Sequence, residues 1–244
     1  MGSSGSYGQF CPVAMAAEIV CTRWTALILR ELLSGSRRFN DLRRGVPRMS
    51  PTLLSKRLKE LAKAGIIESR LRESEQAVEY FLTPAGEDLR DVVMRLGSWG
   101  YRWIEPQLSL QKLDPNLLMW DMRRNIDPTP LPAHRCTIHF RFPELAATKR
   151  AYWLVVEGQD VDLCYFDPGF EINLYIQSSL KSMTSIWMGA STVREEIDHG
   201  HLEIDGDPQL AGSIQTWLAL SPFARDARQQ ANADRATAVS SMAE

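Results

Sequence analysis

Long apolar runs are missing from this sequence of 244 residues, and none approaches the roughly 18 residues that a membrane-spanning helix needs. We therefore expect no membrane association. Cysteine is scarce as well: the four cysteines, Cys11, Cys21, Cys136 and Cys164, form no Cys-x-x-Cys pair and are too few to cross-link a chain of this length. Such cysteine usage is typical of a reducing compartment, so we expect a cytoplasmic protein.

Signatures of catalysis are also missing. The sequence has no glycine-rich phosphate loop, no Gly-x-Ser-x-Gly nucleophile motif and no His-Glu-x-x-His zinc motif. Asp198, His199, His201 and Glu203 lie close enough in sequence to suggest a metal site, but a His-x-His on a turn usually has no ligand. We predict that the protein is not an enzyme, with no catalytic residue, no metal and no cofactor.

Charge is present but unevenly distributed along the chain. Residues 1–110 hold 16 lysines and arginines against 12 acidic residues, whereas residues 111–244 hold 12 against 18. Residues 37–72 alone carry 11 basic and 3 acidic side chains. This separation indicates two domains with different partners, the first of which binds a polyanion.

Local signals predict one short helix at residues 50–64. Ser50 can cap its start, Pro51 suits the first helical position, and Gly65 suits the turn that ends it. One face of this helix is an apolar stripe of Leu54, Leu58 and Leu61. The opposite face is polar and basic, with Thr52, Ser55, Lys56, Lys59 and Lys63.

Another short helix precedes this one, and a hairpin follows it. Residues 37–46 have apolar side chains at helical spacing, so the two helices predict a helix-turn-helix. Residues 67–72 and 78–82 alternate like strands around a polar tip at 73–77, and this hairpin would be the wing of a winged helix. Its expected inward side chains are Ile67, Leu71, Val78, Tyr80 and Leu82. Thr83-Pro84 then predicts the start of a long helix that ends near residue 104.

Four stretches of this half resemble the HxlR-type winged helix regulators: CPV at 11–13, RWTALILRELLSGSRRFNDLRRGVPRMSPTLLSKRLKELAKAGII at 23–67, VEYFLTPAG at 78–86 and LGSWG at 96–100. The resemblance implies a homodimeric transcription factor that binds double-stranded DNA at a palindromic operator. It also implies dimerisation through the N-terminal helix and the helix 84–104. Two features depart from the family: Cys21-Thr22-Arg23 stands where Gly-Gly-Lys is usual, and the wing tip is acidic.

The same resemblance implies which residues contact DNA. The helix 50–64 would be the recognition helix, and the surrounding arginines and the wing would contact phosphates. The candidate DNA-binding residues are Arg38, Arg48, Ser50, Pro51, Thr52, Ser55, Lys56, Arg57, Lys59, Arg70 and Arg72. Arg57 lies near the apolar edge of its helix, which favours phosphate over base contacts. Trp99 and Trp103 are four residues apart and favour packing, here in a dimer interface.

Strand signals dominate after a proline-rich connector at 127–132. Residues 138–142 alternate, 151–166 form two apolar runs around a turn, and 171–176 and 201–205 are further strands. Helical patterns lie between and after them, which predicts an α+β domain. Apolar periodicity ends at about residue 221, so a disordered tail is predicted from there.

Two stretches of the second half resemble the sterol-carrier-protein-type domain: LCYFDPGFEINLYIQSSLKSMTSIWMG at 163–189 and GHLEIDGDPQLAGSIQTWL at 200–218. The resemblance implies a sheet covered by helices around an apolar cavity for lipid-like molecules. From the alternation alone, the candidate lining residues are Trp120, Phe140, Trp153, Phe166, Tyr175, Met183 and Trp187. Each of them is equally compatible with an ordinary core.

These patterns predict an α+β protein in three parts. Residues 1–110 would form a winged helix-turn-helix DNA-binding and dimerisation domain, residues 111–220 a sterol-carrier-like ligand-binding domain, and residues 221–244 the disordered tail. We interpret the protein as a transcriptional regulator whose second domain binds an apolar small-molecule effector that modulates operator binding. Two alternatives stay open: a thiol-sensing regulator that uses Cys11, which some members of the resembled family use to sense oxidants, and a lipid-binding or transfer protein.

Overall fold

A computed structural model describes residues 6–72, 77–104, 113–227 and 229. The chain divides into two compact units, Met1–Leu96 and Gly97–Glu244, and each unit has its own hydrophobic core. The predicted domain boundary at residue 110 falls outside the described residues and stays a prediction.

The first unit is a winged helix-turn-helix, in which helices precede and follow a two-stranded antiparallel hairpin. Its last helix continues beyond Leu96. The elements are α1 (Pro12–Val20), α2 (Thr25–Leu33), α3 (Phe39–Gly45), α4 (Pro51–Lys63), β1 (Ile67–Arg72), β2 (Ala77–Leu82), α5 (Pro84–Glu87) and α6 (Arg90–Trp103).

The ends of helix α4 follow from its sequence. The Ser50 hydroxyl accepts a hydrogen bond from the Leu53 backbone N–H at 3.3 Å, and Pro51 occupies the first helical position. Gly65 adopts φ +71° just after the helix, a conformation that glycine adopts without steric cost. Leu54, Leu58 and Leu61 are buried, in one core with residues of α2 and α3. The predicted limits and apolar stripe of this helix are therefore confirmed.

The wing hairpin is confirmed, but its burial pattern differs from the prediction. Ile67 pairs with Leu82 at the end of the ribbon near the core, and Leu71 pairs with Val78 near the tip. Leu71 is 64% and Val78 is 45% exposed, so the prediction that these two point inward was wrong. They lie where the ribbon has passed beyond the core cluster formed by the described residues of the first unit. The predicted polar tip at 73–77 lies outside the described residues except for its last position.

The predicted long helix from 84 to about 104 is two helices, α5 and α6, with a break at residues 88–89. Thr83 caps α5, since its hydroxyl accepts a hydrogen bond from the Gly86 N–H at 3.2 Å. Within the described residues, no single helix is long and apolar enough to cross a membrane, and only α1 and α2 taken together, bent by 79° at their break, reach that length and composition.

The second unit is built on a five-stranded mixed sheet with the order β5-β4-β3-β6-β7. Strands β3 and β6 are parallel, and the other neighbours are antiparallel. The elements are α7 (Pro115–Asn125), β3 (Cys136–Arg141), β4 (Ala151–Glu157), β5 (Asp160–Cys164), β6 (Leu174–Ser178), α8 (Leu180–Trp187), α9 (Val193–Asp198), β7 (Leu202–Gly206), α10 (Pro208–Gly212) and α11 (Ile214–Trp217), with a 3-10 turn at Ala147–Lys149.

One face of this sheet forms the core of the second unit. Side chains such as Ile138, Phe140 and Leu154 are fully buried there against apolar residues of α7, α8, α10 and α11. The predicted α+β class is therefore confirmed, whereas the finer likeness to a sterol-carrier domain stays a prediction. Residues 222–227 are helical and Ala224 is fully buried, so order extends several residues into the predicted tail. The end of that tail lies outside the described residues.

Candidate nucleic-acid interface

The outward face of α4 is a strip of polar and cationic side chains. Thr52, Lys56, Lys59 and Lys63 are exposed, Ser55 is half-buried, and all five border one open groove together with Glu60. Within the part of the chain that the structure describes, no carboxylate lies within ion-pair distance of Lys59 or Lys63. These two ammonium groups are therefore uncompensated positive charges on one side of a rigid helix.

Two other cations of this helix share one carboxylate. Lys56 Nζ lies 3.9 Å from Glu60 Oε1, and the Arg57 guanidinium pairs with the other oxygen of Glu60. These pairs have i,i+4 and i,i+3 spacing, so the sequence contained the signal for them. Because both pairs are solvent-exposed, each contributes little stability, and a phosphate can compete for either cation.

A second carboxylate, that of Glu79 on the wing, pairs with two arginines. Glu79 Oε1 lies 3.6 Å from Arg38 Nε and 3.4 Å from Arg72 Nη1, and its side chain is only 18% exposed. Backbone pairing holds the group in place, since Arg38 forms a β-bridge with Glu79. Arg70 pairs with Glu68 and lies over the Phe81 ring at 4.6 Å. Sequence reasoning missed Glu79 because Arg38 and Arg72 meet it only through the tertiary fold.

The remaining predicted contacts lie at the start of α4. Arg48 is exposed in the turn between α3 and α4, with no ion-pair partner among the described residues. Ser50 and Pro51 stand at the N-terminus of the helix, where the positive end of the helix dipole favours an anion. Together with α4 and the wing, they give a surface suited to a phosphate backbone, and their assignment to DNA contact stays a prediction.

Apolar side chains are exposed on α1 and α6. None of the residues of α1 is buried, and Phe10, just before it, is 98% exposed. On α6 the spacing of the exposed residues is four, three and four, which is the spacing of a helix-pairing seam. They are Val92, Leu96, Trp99 and Trp103, each between 51% and 68% exposed. Exposed apolar patches of this kind mark sites of protein contact.

The four cysteines differ in environment. Cys11 is exposed at the N-cap of α1, where the nearby backbone N–H groups of Ala14 and Val13 lower the pKa of its thiol. Burial raises the pKa of Cys136 to about 11 and also raises the pKa of Cys164. Cys11 is therefore the thiol whose surroundings favour the reactive thiolate.

The seven predicted ligand-binding residues differ in burial and lie on both faces of the second unit's sheet, and their role in ligand binding stays a prediction. Phe140, Met183 and Trp187 are packed in the core, and Trp120 is also buried. On the opposite face of the sheet, Trp153 is half-buried and Tyr175 is 44% exposed. Phe166 lies in the connection after β5 and is 85% exposed. Alternation shows which side chains share a face of a strand, but it does not show which face is covered. Among the described residues, no group of three or more His, Cys, Asp or Glu side chains is placed to hold a metal ion.

Comparison with known proteins bears mainly on the first unit. The sequence profile of the family described as HxlR-like helix-turn-helix matches residues 19–108. The HTH-type transcriptional regulator YvaP of Bacillus subtilis is 36% identical over 100 residues, which are 40% of this chain and 93% of YvaP. The HTH-type transcriptional regulator Rv3095 of Mycobacterium tuberculosis is 35% identical over 144 residues, covering 52% of this chain and 89% of Rv3095. Among solved structures, the reduced form of the transcriptional regulator YodB from B. subtilis is 32% identical and covers 40% of this chain and 98% of that chain, with a TM-score of 0.36.

Proposed function

We propose that this chain, which belongs to the HxlR-like helix-turn-helix family of DNA-binding transcriptional regulators, binds a palindromic operator as a homodimer. We also propose that its second unit receives a small apolar effector that changes operator affinity. Transcriptional regulators of this type are not enzymes. The observation that carries the operator proposal is the cationic face of α4, fixed by its cap and apolar stripe.

The geometry of α4 suits the major groove of DNA. The groove is about 12 Å wide and admits a single helix, and lysine and arginine side chains reach guanine edges and phosphates. Lys59 is an uncompensated donor at mid-helix, and Thr52 and Ser55 add hydroxyl groups on the same face. Arg48, Arg38 and the wing arginines flank this face and favour phosphate contacts.

We expect the purified full chain to bind DNA from upstream of its own gene more tightly than a scrambled duplex of the same length. Fluorescence anisotropy over a series of salt concentrations measures both affinities, and each phosphate neutralised should add about 0.9 to the log–log salt slope. Equal affinity for both duplexes would contradict the proposal, because base contacts from α4 would then be missing.

The exposed seam on α6 supports the proposal of a homodimer. One recognition helix makes few base contacts, whereas two related by symmetry double them at half-sites about 34–36 Å apart. Large apolar side chains such as Trp99 and Trp103 are costly to leave in water, so a second copy of the seam is a favourable cover.

Leu96→Glu combined with Trp103→Glu should convert the dimer to a monomer in light scattering at micromolar concentration. Four carboxylates would then be placed in an apolar interface, where unpaired charge is strongly unfavourable. Both side chains are at least 55% exposed, so the fold should survive. The matched control is Leu71→Glu, at an apolar residue of similar exposure in the wing, which should stay dimeric. A monomeric wild type, or equal dissociation of the control, would contradict the interface.

A thiol-sensing regulator is the second candidate function, and the environment of Cys11 favours it. The thiol is exposed, and the backbone N–H groups at the start of α1 lower its pKa; exposure and a lowered pKa are the two properties that a sensor thiol needs. Cys11 and Cys21 stand about 15 Å apart along α1 at 1.5 Å per residue. A disulfide requires Cα atoms within about 7 Å, so a pair between these residues would have to join two subunits.

We expect iodoacetamide at pH 7.5 to label Cys11 before Cys164, and Cys136 last, because reaction requires the thiolate. Mass spectrometry of quenched time points gives the order. A parallel assay compares operator binding by the wild type and Cys11→Ser after diamide treatment. If Cys11→Ser alone abolished an oxidant response, thiol oxidation would replace effector binding as the switch. Labelling of Cys136 before Cys11 would contradict the burial of Cys136 and the exposure of Cys11.

A further inference from the structure

The outer face of the second unit's sheet, opposite to the core, carries a row of aromatic rings. His139 on β3 is in register with Trp153 on β4 and with Tyr175 on β6. The His139 and Trp153 rings are stacked with centroids 4.8 Å apart at 17°, and Tyr175 meets His139 edge-on at 5.6 Å. Three neighbouring strands thus present one continuous aromatic surface, of which Tyr175 is 44% exposed.

Polar atoms on this face lack partners. Thr137 Oγ1, His139 Nε2 and Trp153 Nε1 are shielded from solvent, and none of them has a hydrogen-bond partner among the described residues. Buried polar groups are paired in the great majority of cases, so three unpaired atoms on one face require an explanation. The indole N–H of Trp153 can only donate, so what it lacks is an acceptor.

A cation lies beside the aromatic row. Arg141 follows His139 by two residues on the same face, is exposed, and has no carboxylate within ion-pair distance in the described part of the chain. Its cross-strand neighbours are the small Ala151 and Gln177, whose amide donates to Glu203 at 2.9 Å. On β4 the guanidinium faces only the small Ala151, and the Trp153–His139 pair lies two residues along the strand.

The charges near the row are of both signs, since Asp167 acts on His139 and Asp205 is in register with Tyr175, and Arg141 is the cation beside them. Burial lowers the pKa of His139, the charge of Arg141 lowers it further, and Asp167 partly offsets both. These surroundings favour the neutral form of the imidazole, and Arg141 supplies positive charge on this surface. Asp167 belongs to the connection 165–173, which leads from β5 at the sheet edge past β4 and β3 to β6. On this connection Phe166 is 85% exposed and offers a further apolar ring.

We propose that this face binds a small aromatic carboxylic acid, whose ring lies on the surface of Trp153, His139 and Tyr175 and whose carboxylate pairs with Arg141. Residues 139 and 141 are about 6.6–6.8 Å apart along the strand, a distance that an aromatic ring and its attached carboxylate can span. Trp153 Nε1 is shielded from solvent, so an oxygen of the acid reaches it only when the residues that cover it move aside. The inference rests on the proposed function and changes one part of it: the effector is an aromatic acid with one charged end rather than a wholly apolar molecule, and its site is the outer face of the sheet rather than the core.

Isothermal titration calorimetry of the full chain tests the site with 2-naphthoate and with 2-naphthamide, its uncharged counterpart. We expect 2-naphthoate to bind at least tenfold more tightly than the amide. Arg141→Gln should remove that preference, since a charged bidentate pair is lost. The matched control is Arg135→Gln, which lies just before β3, at the opposite end of that strand from Arg141, and pairs with Glu157. It should bind like the wild type. Tyr175→Ala should weaken both ligands, because it removes part of the ring surface.

Equal affinity for acid and amide, absence of binding by both, or equal losses in Arg141→Gln and Arg135→Gln would overturn the inference. Operator anisotropy with and without 2-naphthoate separates this failure from failure of the proposed function. Normal operator binding without any 2-naphthoate binding would overturn only the aromatic acid site. Binding of 2-naphthoate by a protein that does not bind operator DNA would support the aromatic acid site and contradict the proposed function as a transcriptional regulator.

Discussion

Lys59→Ala should lower operator affinity on the order of tenfold and reduce the log–log salt slope by about 1.8, because a dimer loses two lysines and each phosphate contact accounts for about 0.9. Lys59 lies at mid-helix on the outward face of α4 and, among the described residues, has no carboxylate in ion-pair range. Its full charge is therefore available to DNA. The side chain lies outside the leucine stripe, so the melting temperature should not change.

The matched comparison for Lys59→Ala is Lys56→Ala on the same helix. Lys56 already lies 3.9 Å from Glu60, so part of its charge is engaged before DNA arrives. We expect a smaller loss of affinity for this variant, although its salt slope should also fall. Anisotropy titrations at four salt concentrations give both quantities for each variant. Unchanged affinity and slope in both variants would reject α4 as the recognition helix.

Gly86→Ala should destabilise the first unit strongly. A Cβ at this position would lie 2.2 Å from the backbone oxygen of Ile66 and 2.9 Å from Leu82 Cδ2. The Ile66 carbonyl cannot easily move, because it accepts hydrogen bonds from the Thr83 backbone N–H at 3.0 Å and from the Thr83 hydroxyl at 3.1 Å. Overpacking of this kind costs about 1–3 kcal/mol, and each kcal/mol lowers the melting temperature of a domain this size by roughly 4–8 °C.

Gly212→Ala provides the control for that experiment. No atom lies within 4 Å of a Cβ built at Gly212, and its backbone does not have a positive φ. We expect its melting curve, followed by circular dichroism, to overlay that of the wild type. Equal melting temperatures for Gly86→Ala and Gly212→Ala would show that the connection between the wing and α5 can expand without cost.

Features fixed by local sequence were predictable. Ser50, Pro51 and Gly65 act within one helix turn of themselves, so the ends of α4 could be located from the sequence. The strands of the wing followed from alternation for the same reason. The break between α5 and α6 at residues 88–89 was not visible, because Asp88 and Leu89 carry no helix-breaking side chain.

Features that depend on the tertiary fold were not predictable. The inward position expected for Leu71 failed because alternation continues along a ribbon after the core has ended. Glu79 escaped notice because its pairing with Arg38 requires the hairpin to lie beside the segment that precedes α3. The row of His139, Trp153 and Tyr175 requires the strand order, since β6 lies next to β3 although β4 and β5 come between them in sequence.

Glu60 and Glu79 each pair with two cations, so that DNA binding at these cations exchanges one ion pair for another. In the proposed operator complex, a phosphate that contacts Arg38 or Arg72 displaces Glu79. A phosphate that contacts Lys56 or Arg57 displaces Glu60. On unrelated DNA, replacing a carboxylate by a phosphate gains little binding free energy. A matching site adds base contacts, which do gain binding free energy. We therefore expect short residence on unrelated sequences, so that the protein searches the chromosome by frequent detachment and rebinding rather than by long sliding runs.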